Sequence, residues 1–222
     1  MKKLFNFFKH EAYSYSTRIK KGMYYMLKSI LRVLKRCIEP KGIGIDLGIK
    51  TYASLSNGKT YANFNKRPEF KQLEEEISYF KGKQNTTKAN KLENKLIAMR
   101  KKEIDKIVLS IVKTKPKYIT IETLGFNHIG GTLKEQCLKL HSDYFKMKMI
   151  KECSNYNIEL RICKRFYKSS RICSKCGNVK EDLKLSDRTY FCKRCKLRID
   201  RDLNASINIR DCKDYTVLVN RR

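Results

Sequence analysis

GIGIDLGIK, residues 42–50, sets large apolar residues at every second position, with Ile43, Ile45, Leu47 and Ile49 alternating with Gly44, Asp46 and Gly48. Successive side chains of a β-strand point to opposite faces, so this stretch predicts one apolar face and one face bearing a single acid between glycines. Such an acid, on a face cleared of side chains, suits a metal ion and a close-approaching phosphate; it equally suits a turn or bulge. Downstream, TYASL and KTYANF flank Asn57-Gly58, the type I′ dipeptide of a tight hairpin.

Working outward, residues 68–82 and 88–113 carry helical periodicity with a polar break at KGKQNTTK, which predicts a helical hairpin. Pro116 stops the second helix. KYITIETL then reads as a strand with Ile119 and Ile121 on one face and Tyr118, Thr120 and Glu122 on the other. A second strand thereby presents an acid. Residues 133–154 read as one helix with Leu133, Cys137, Leu140, Tyr144, Met147 and Lys151 on a stripe, followed by a short strand at IELRIC. Towards the other end, residues 1–40 hold ten Lys/Arg against two acids, and Met23, Met26, Leu27, Ile30, Leu31, Leu34 and Cys37 recur as the apolar face of a basic helix, which suits packing on the domain and also a membrane surface or a phosphate backbone. No repeats and no Pro/Gly/Ser-rich linker divide the chain.

The 222 residues carry 51 Lys/Arg against 22 Asp/Glu, a formal net charge of +29. That excess calls for a polyanionic partner. The hydrophobic fraction of 41% excludes a merely disordered basic tail. Lys or Arg interrupts every run long enough to cross a membrane, and no signal-peptide order is present, so a cytoplasmic protein without a membrane partner is expected, nucleoid-associated if bacterial. The nine cysteines are odd in number and four of them fall in two C-x-x-C pairs, which favours metal binding in a reducing compartment over a disulfide framework. His10, His128 and His141 have no ligand spacing and read as structural or solvent-facing.

Cys173-x2-Cys176, fifteen residues, and Cys192-x2-Cys195 have the spacing of a closed four-thiolate Zn²⁺ site, with the intervening residues free to form a hairpin that closes it. Basic residues crowd this segment, among them Arg171, Lys175 and Arg188, and Tyr167, Tyr190 and Phe191 lie between them. Cations pair with phosphates and rings stack on bases, so the unit reads as a nucleic-acid surface, with some rings serving as the ribbon's own core. Directly after it comes IDRDLNASINIRD, in which Asp202, taken alone, reads as the N-cap of a helix carrying Leu203, Ile207 and Ile209.

GIDLGIK at 44–50, ITIETL at 119–124, YKSSRICSKCG at 167–177 and FCKRC with DRDLNASINI at 191–209 resemble, in that order, the nuclease half of the TnpB/OrfB family of insertion-sequence proteins, relatives of the type V CRISPR effectors. The resemblance covers roughly residues 42–210. It implies an α/β fold: a ribonuclease H-like (RuvC) domain over 41–168 and 199–222, an inserted zinc ribbon over 169–198, and a helical hairpin. It further implies a metal-dependent DNA endonuclease of mobile elements, guided by RNA. The implied acidic triad is Asp46, Glu122 and Asp202, with Asp200 the alternative third acid, holding two Mg²⁺ or Mn²⁺ ions beside one structural Zn²⁺. Asn204 is implied as a support for Asp202 or a bound water, Ser169 and Ser170 as phosphate-positioning groups, and Arg171, Lys175, Arg188 and Arg201 as nucleic-acid contacts.

The chain departs from the family pattern in four places, one of them Glu122-Thr123-Leu124, where a second acid often follows the Glu. Only about 40 residues precede the first motif, which reads as a shortened remnant of the family's N-terminal half. Lys196 stands where a glycine is usual, and Ala205-Ser206 where Ala-Ala is usual. Two other functions stay open on this sequence: a nucleic-acid-binding zinc-ribbon module, and a decaying element product without cleavage.

Overall fold

The computed structural model describes residues 42–122, 130–164, 167–184 and 186–221, all within one compact unit, Lys41–Arg222. The basic helix expected over residues 23–37, His10 and His128 lie outside the described residues.

A six-stranded mixed sheet organises the unit, in the order β3-β2-β1-β4-β5-β8. Its strands are β1 (Ile43–Leu47), β2 (Thr51–Leu55), β3 (Thr60–Ala62), β4 (Tyr118–Ile121), β5 (Glu159–Cys163) and β8 (Tyr215–Val219). β1, β4 and β5 run parallel, while β2, β3 and β8 run antiparallel to their neighbours. The register aligns Ile43 with Ile119 and Leu160, and Ile45 with Ile121 and Ile162, so two rows of branched apolar residues cross the same face. All six are buried in the main core. The alternation in the first stretch therefore does what it predicts.

Two long helices, α1 (Pro68–Gly82) and α2 (Thr86–Val112), cover that face as the expected hairpin. Pro68 starts α1, where its missing N–H costs nothing, and the Asn85 side chain caps α2 by accepting from Lys88 N at 3.1 Å. Ile104, Ile107, Val108 and Ile111 of α2 join the core. α2 ends at Val112, ahead of Pro116, in a turn where Lys115 takes a φ of 48°.

The helix expected over 133–154 is two helices, α3 (Gly131–Leu138) and α4 (Ser142–Asn155), broken where His141 adopts the left-handed region with a φ of 48°. The break resets the phase of the apolar stripe. Phe145, Met149 and Cys153 are buried on α4, whereas Met147, expected on the stripe, is 65% exposed. The hairpin turn also differs from expectation. Asn57 keeps a negative φ and Gly58 alone takes a positive one, 87°, while Leu55 N donates to Lys59 O at 2.9 Å. That is a three-residue loop with glycine at its left-handed position, a commoner partner of a type I turn than of a type I′ turn.

The last helix, α5 (Arg201–Arg210), lies on the opposite face of the sheet. Gly44 permits it: a Cβ there would overlap the Ser206 carbonyl oxygen and the Arg210 backbone nitrogen. The glycine beside Asp46 thus admits a helix, and not the phosphate that the sequence alone suggests for it. Between β5 and α5 sits a small separate lobe with the two-stranded hairpin β6 (Thr189–Phe191) and β7 (Arg198–Asp200) and its own core of Tyr190, Leu183, Leu197 and Ile199. Among the described residues, no helix is long and apolar enough to cross a membrane.

Candidate metal and nucleic-acid site

Register brings the first two acids together. Ile45 and Ile121 are paired on adjoining parallel strands, and the next residue on each is Asp46 and Glu122, at the carboxyl ends where open α/β sheets form their crevices. α5 crosses this face and contributes Asp202 from its first turn. All three line one cavity of about 610 Å³, together with Ser169, Ser170, Lys50, Lys66, Arg188 and Arg201. Leu133, Gln136, Cys137 and Leu140 form the facing wall.

The electrostatics of the trio are those of crowded like charges. Burial, then the neighbouring Glu122 and Asp202, raise the Asp46 carboxyl well above the usual carboxylate range, with Arg201 partly opposing them. Glu122 is also raised by burial, but it accepts hydrogen bonds from Ser169 and Asp46, which favour its charged form. Without a cation the burial and mutual repulsion of these acids disfavour their charged forms, most of all at Asp46. A cluster whose mutual repulsion is relieved by protonation is relieved equally by a divalent cation, and an all-oxygen donor set fits Mg²⁺ or Mn²⁺. Arg201 lies against Asp202, with Nε and Nη2 each 3.2 Å from Oδ1.

Asp202 is not the helix cap. Asp200 is: its carboxylate accepts from Asp202 N at 2.9 Å and Leu203 N at 3.0 Å. This satisfies two free N–H groups at the helix start and leaves the Asp202 carboxylate for the cavity. It also takes Asp200 out of the competition, since Asp200 does not line that cavity.

The cysteine ligand atoms of Cys173, Cys176, Cys192 and Cys195 all lie within 4.8 Å of one another. Cys173 to Cys195 is 3.5 Å and Cys176 to Cys192 is 3.6 Å between sulfurs, close to the edge of a tetrahedron with Zn–S bonds of about 2.3 Å. The four thiols could hold one zinc ion. Each C-x-x-C forms a knuckle of the same design. Cys173 O accepts from Gly177 N at 2.8 Å and Cys192 O from Lys196 N at 2.9 Å, while Cys173 N and Cys192 N donate to Asn178 O and Leu197 O. Gly177 (φ 73°) and Lys196 (φ 59°) occupy matching left-handed positions. The Cys192 thiol is lowered to about 6, chiefly by the Cys195 backbone N–H. The hairpin β6–β7 straddles the second knuckle and a bridge between Ile172 and Val179 straddles the first, so the ribbon is two small hairpins, and not the one hairpin expected from the fifteen intervening residues.

Several expected contacts fall elsewhere. Ser169 is buried and its Oγ donates to Glu122 Oε2 at 2.9 Å, so that hydroxyl is engaged by protein; Ser170 lines the cavity. Asn204 is fully buried, donating from Nδ2 to Ile172 O at 2.7 Å and accepting from Ser174 N at 3.0 Å. It thus clamps the ribbon onto α5 and does not touch Asp202. Tyr190 is ribbon core and donates to Arg171 O, while Tyr167 donates to Asn208 O, so Phe191, 42% exposed, is the one ring of the three that faces solvent well. Arg171 pairs with Glu181 at 2.9 Å, and Lys175 is exposed outside the cavity. Lys50 and Lys66 also line the cavity, and Asn208 donates to Ser169 O and Ile172 O, placements that the sequence does not single out. Asn204 and Asn208, four apart on one helix, carry a signal that could have found the last of these.

Comparison with known proteins follows the same geography. Residues 143–209, from α4 through the ribbon to α5, match the family model of the Cas12f1-like TNB domain. A Streptomyces pristinaespiralis protein named "Putative RNA-guided DNA endonuclease" is 26% identical over an alignment covering 75% of this chain and 44% of that protein. The fold is shared with the cryo-EM structure of the Cas12f1-sgRNA-target DNA complex, at a TM-score of 0.59 and 20% identity over 76% of this chain and 49% of that one. A CRISPR-Cas12f ternary complex superposes at a TM-score of 0.58 and 19% identity, covering 79% and 40%. The chain spans less than half the length of each of these relatives. Residues 143–209 are thus similar to the Cas12f1-like TNB domain, and the fold is shared with the Cas12f structures.

Proposed function

We propose that the chain is a metal-dependent DNA endonuclease guided by RNA, with a ribonuclease H-like (RuvC) domain interrupted by a zinc ribbon. The observation that carries this reading is the meeting of three carboxyls from three separate segments, Asp46, Glu122 and Asp202, in one cavity rimmed by Lys50, Lys66, Arg188 and Arg201. The sheet order, with an antiparallel hairpin before two parallel strands, supports the ribonuclease H-like assignment, as does the Cas12f likeness. The partners in that likeness, a guide RNA and target DNA, suit the charge of +29.

Asp46, Glu122 and Asp202 would hold two Mg²⁺ or Mn²⁺ ions, which supply activation of a water and stabilisation of the leaving oxygen. The chain's own work is to gather three acids at a cost in repulsion and to orient the strand. Arg188 and Arg201 on the ribbon side and Lys50 and Lys66 on the sheet side bracket the cavity, so a phosphate drawn between them faces the carboxyls. Leu133, Cys137 and Leu140 give the cavity an apolar side. No protein nucleophile is required.

The test is cleavage of labelled single- and double-stranded DNA by the zinc-loaded protein with Mg²⁺ or Mn²⁺, with and without RNA co-purified from the host. Cutting that needs the metal and is lost in Asp46→Asn supports the reading, and a requirement for RNA supports the guided form. Nucleic-acid binding with no cutting at any divalent concentration would replace it with a zinc-ribbon binding module.

A further inference from the structure

The segment Ser169–Ser174 joins the acid cluster to the ribbon, and α5 grips it along its length. Asn208 Nδ2 donates to Ser169 O at 2.8 Å and to Ile172 O at 2.6 Å, and Asn204 holds Ile172 O and Ser174 N. Both asparagines are buried, Asn204 completely, so loss of these bonds leaves buried amide groups unsatisfied. At one end of the grip stands Cys173, one of the four thiols of the ribbon. At the other, Ser169 Oγ donates to Glu122 Oε2, with Ser169 only 6% exposed.

A serine hydroxyl so enclosed has its partner fixed by the backbone that carries it. Here that backbone is positioned by amides four residues apart on the same helix that supplies Asp202. The first knuckle continues the segment directly, through Cys173 N to Asn178 O at 2.8 Å and Gly177 N to Cys173 O. A ribbon that loses its knuckle shape therefore releases the residues that hold Ser169 in place.

We propose that Ser169 is a positioning residue for Glu122, and that the folded zinc ribbon sets it through Asn204 and Asn208, so that the ribbon tunes divalent-metal affinity at the acid cluster. This rests on the reading of Asp46, Glu122 and Asp202 as divalent-ion ligands. Ser169 touches neither the ion nor the nucleic acid in this role. It removes the freedom of Glu122 to turn away from the cavity, and groups that orient metal ligands in this way typically contribute about 10- to 100-fold in metal affinity.

The test measures Mn²⁺ affinity by the electron paramagnetic resonance of free Mn²⁺ in titrations of the zinc-loaded, full-length protein without nucleic acid. Ser169→Ala, with zinc content and unfolding midpoint at wild-type values, is expected to bind Mn²⁺ about tenfold more weakly. Asn208→Ala is expected to weaken it in the same direction, and the double variant no further than Ser169→Ala alone, because both act through one hydroxyl. Unchanged Mn²⁺ affinity in a folded Ser169→Ala protein would overturn the proposal, and so would losses that add in the double variant. Failure of the wild-type protein to bind Mn²⁺ at all would instead overturn the divalent-ion reading on which it rests. Should Ser169→Ala not fold, the Asn208→Ala protein carries the same decision: no loss of Mn²⁺ affinity with the ribbon still zinc-loaded would overturn it.

Discussion

Lys196 occupies a backbone position with a φ of 59°, matched in the other knuckle by Gly177 at 73°. A side chain costs about 1–2 kcal/mol in the left-handed region, where Cβ crowds the carbonyl. Lys196→Gly recovers part of that and gives back some to the freer unfolded chain. We expect a net gain of about 1 kcal/mol, which calorimetry would read as a rise of about 2–4 °C in the unfolding of the ribbon if it melts with the rest. Asp46 carries an electrostatic cost, since burial beside two other acids penalises its charged form. Its folded-state value is raised, so its contribution is fully present below the ordinary carboxylate range and lost as pH rises through the folded value. Metal-free wild-type protein should therefore lose thermal stability relative to Asp46→Asn as pH rises above about 4, a loss that added Mg²⁺ or Mn²⁺ cancels. Thermal melts across pH would check this, with Asp46→Asn melting higher at neutral pH without divalent ions and cutting nothing with them.

Gly44 decides how closely α5 approaches the sheet, and through it where Asp202 stands. Gly44→Ala forces a Cβ into the backbone of Ser206 and Arg210, neither of which can swing aside as a side-chain tip would. We expect a loss on the order of 3 kcal/mol, measurable by denaturant unfolding, with Mn²⁺ affinity falling in whatever fraction still folds. Elements of this kind were legible unevenly in the sequence. The alternation of Ile43, Ile45, Leu47 and Ile49 sufficed for β1 because period-two burial is a local pattern, and the helical hairpin followed from its polar break. The division of α3 from α4 was not legible, because it depends on His141 entering the left-handed region, a conformation its neighbours do not announce. The roles of Asp200 and Asp202 came from the motif resemblance and not from the local pattern, for a related reason. Two acids two residues apart at a helix start both suit a cap, and which one turns inward is set by the sheet beneath. Asn204 was recognised as a residue with a task, but its partners are main-chain atoms of the ribbon, 30 and 32 residues away in sequence, beyond any local pattern.

At the scale of the molecule, the proposed function sets two donor sets of different softness in one unit, four thiols and three carboxyls. Thiolates suit Zn²⁺ and carboxylates suit Mg²⁺ or Mn²⁺, and the ribbon that carries the thiols also turns Arg188 to the cavity of the acids. Arg188 is exposed on that wall and lines the cavity, so it has the position of a phosphate contact. Arg188→Ala should weaken nucleic-acid binding similarly across sequences and reduce the slope of log affinity against log salt by about 0.7–0.9, one phosphate's share. Binding isotherms at several salt concentrations would check it. The most direct measurement of the central claim is anomalous diffraction from crystals grown with Zn²⁺ and soaked in Mn²⁺, collected at both metal edges. The account predicts one zinc peak among Cys173, Cys176, Cys192 and Cys195, and manganese in contact with Asp46, Glu122 and Asp202. Manganese absent from that cavity, or bound elsewhere while the three carboxylates stand apart, would contradict it.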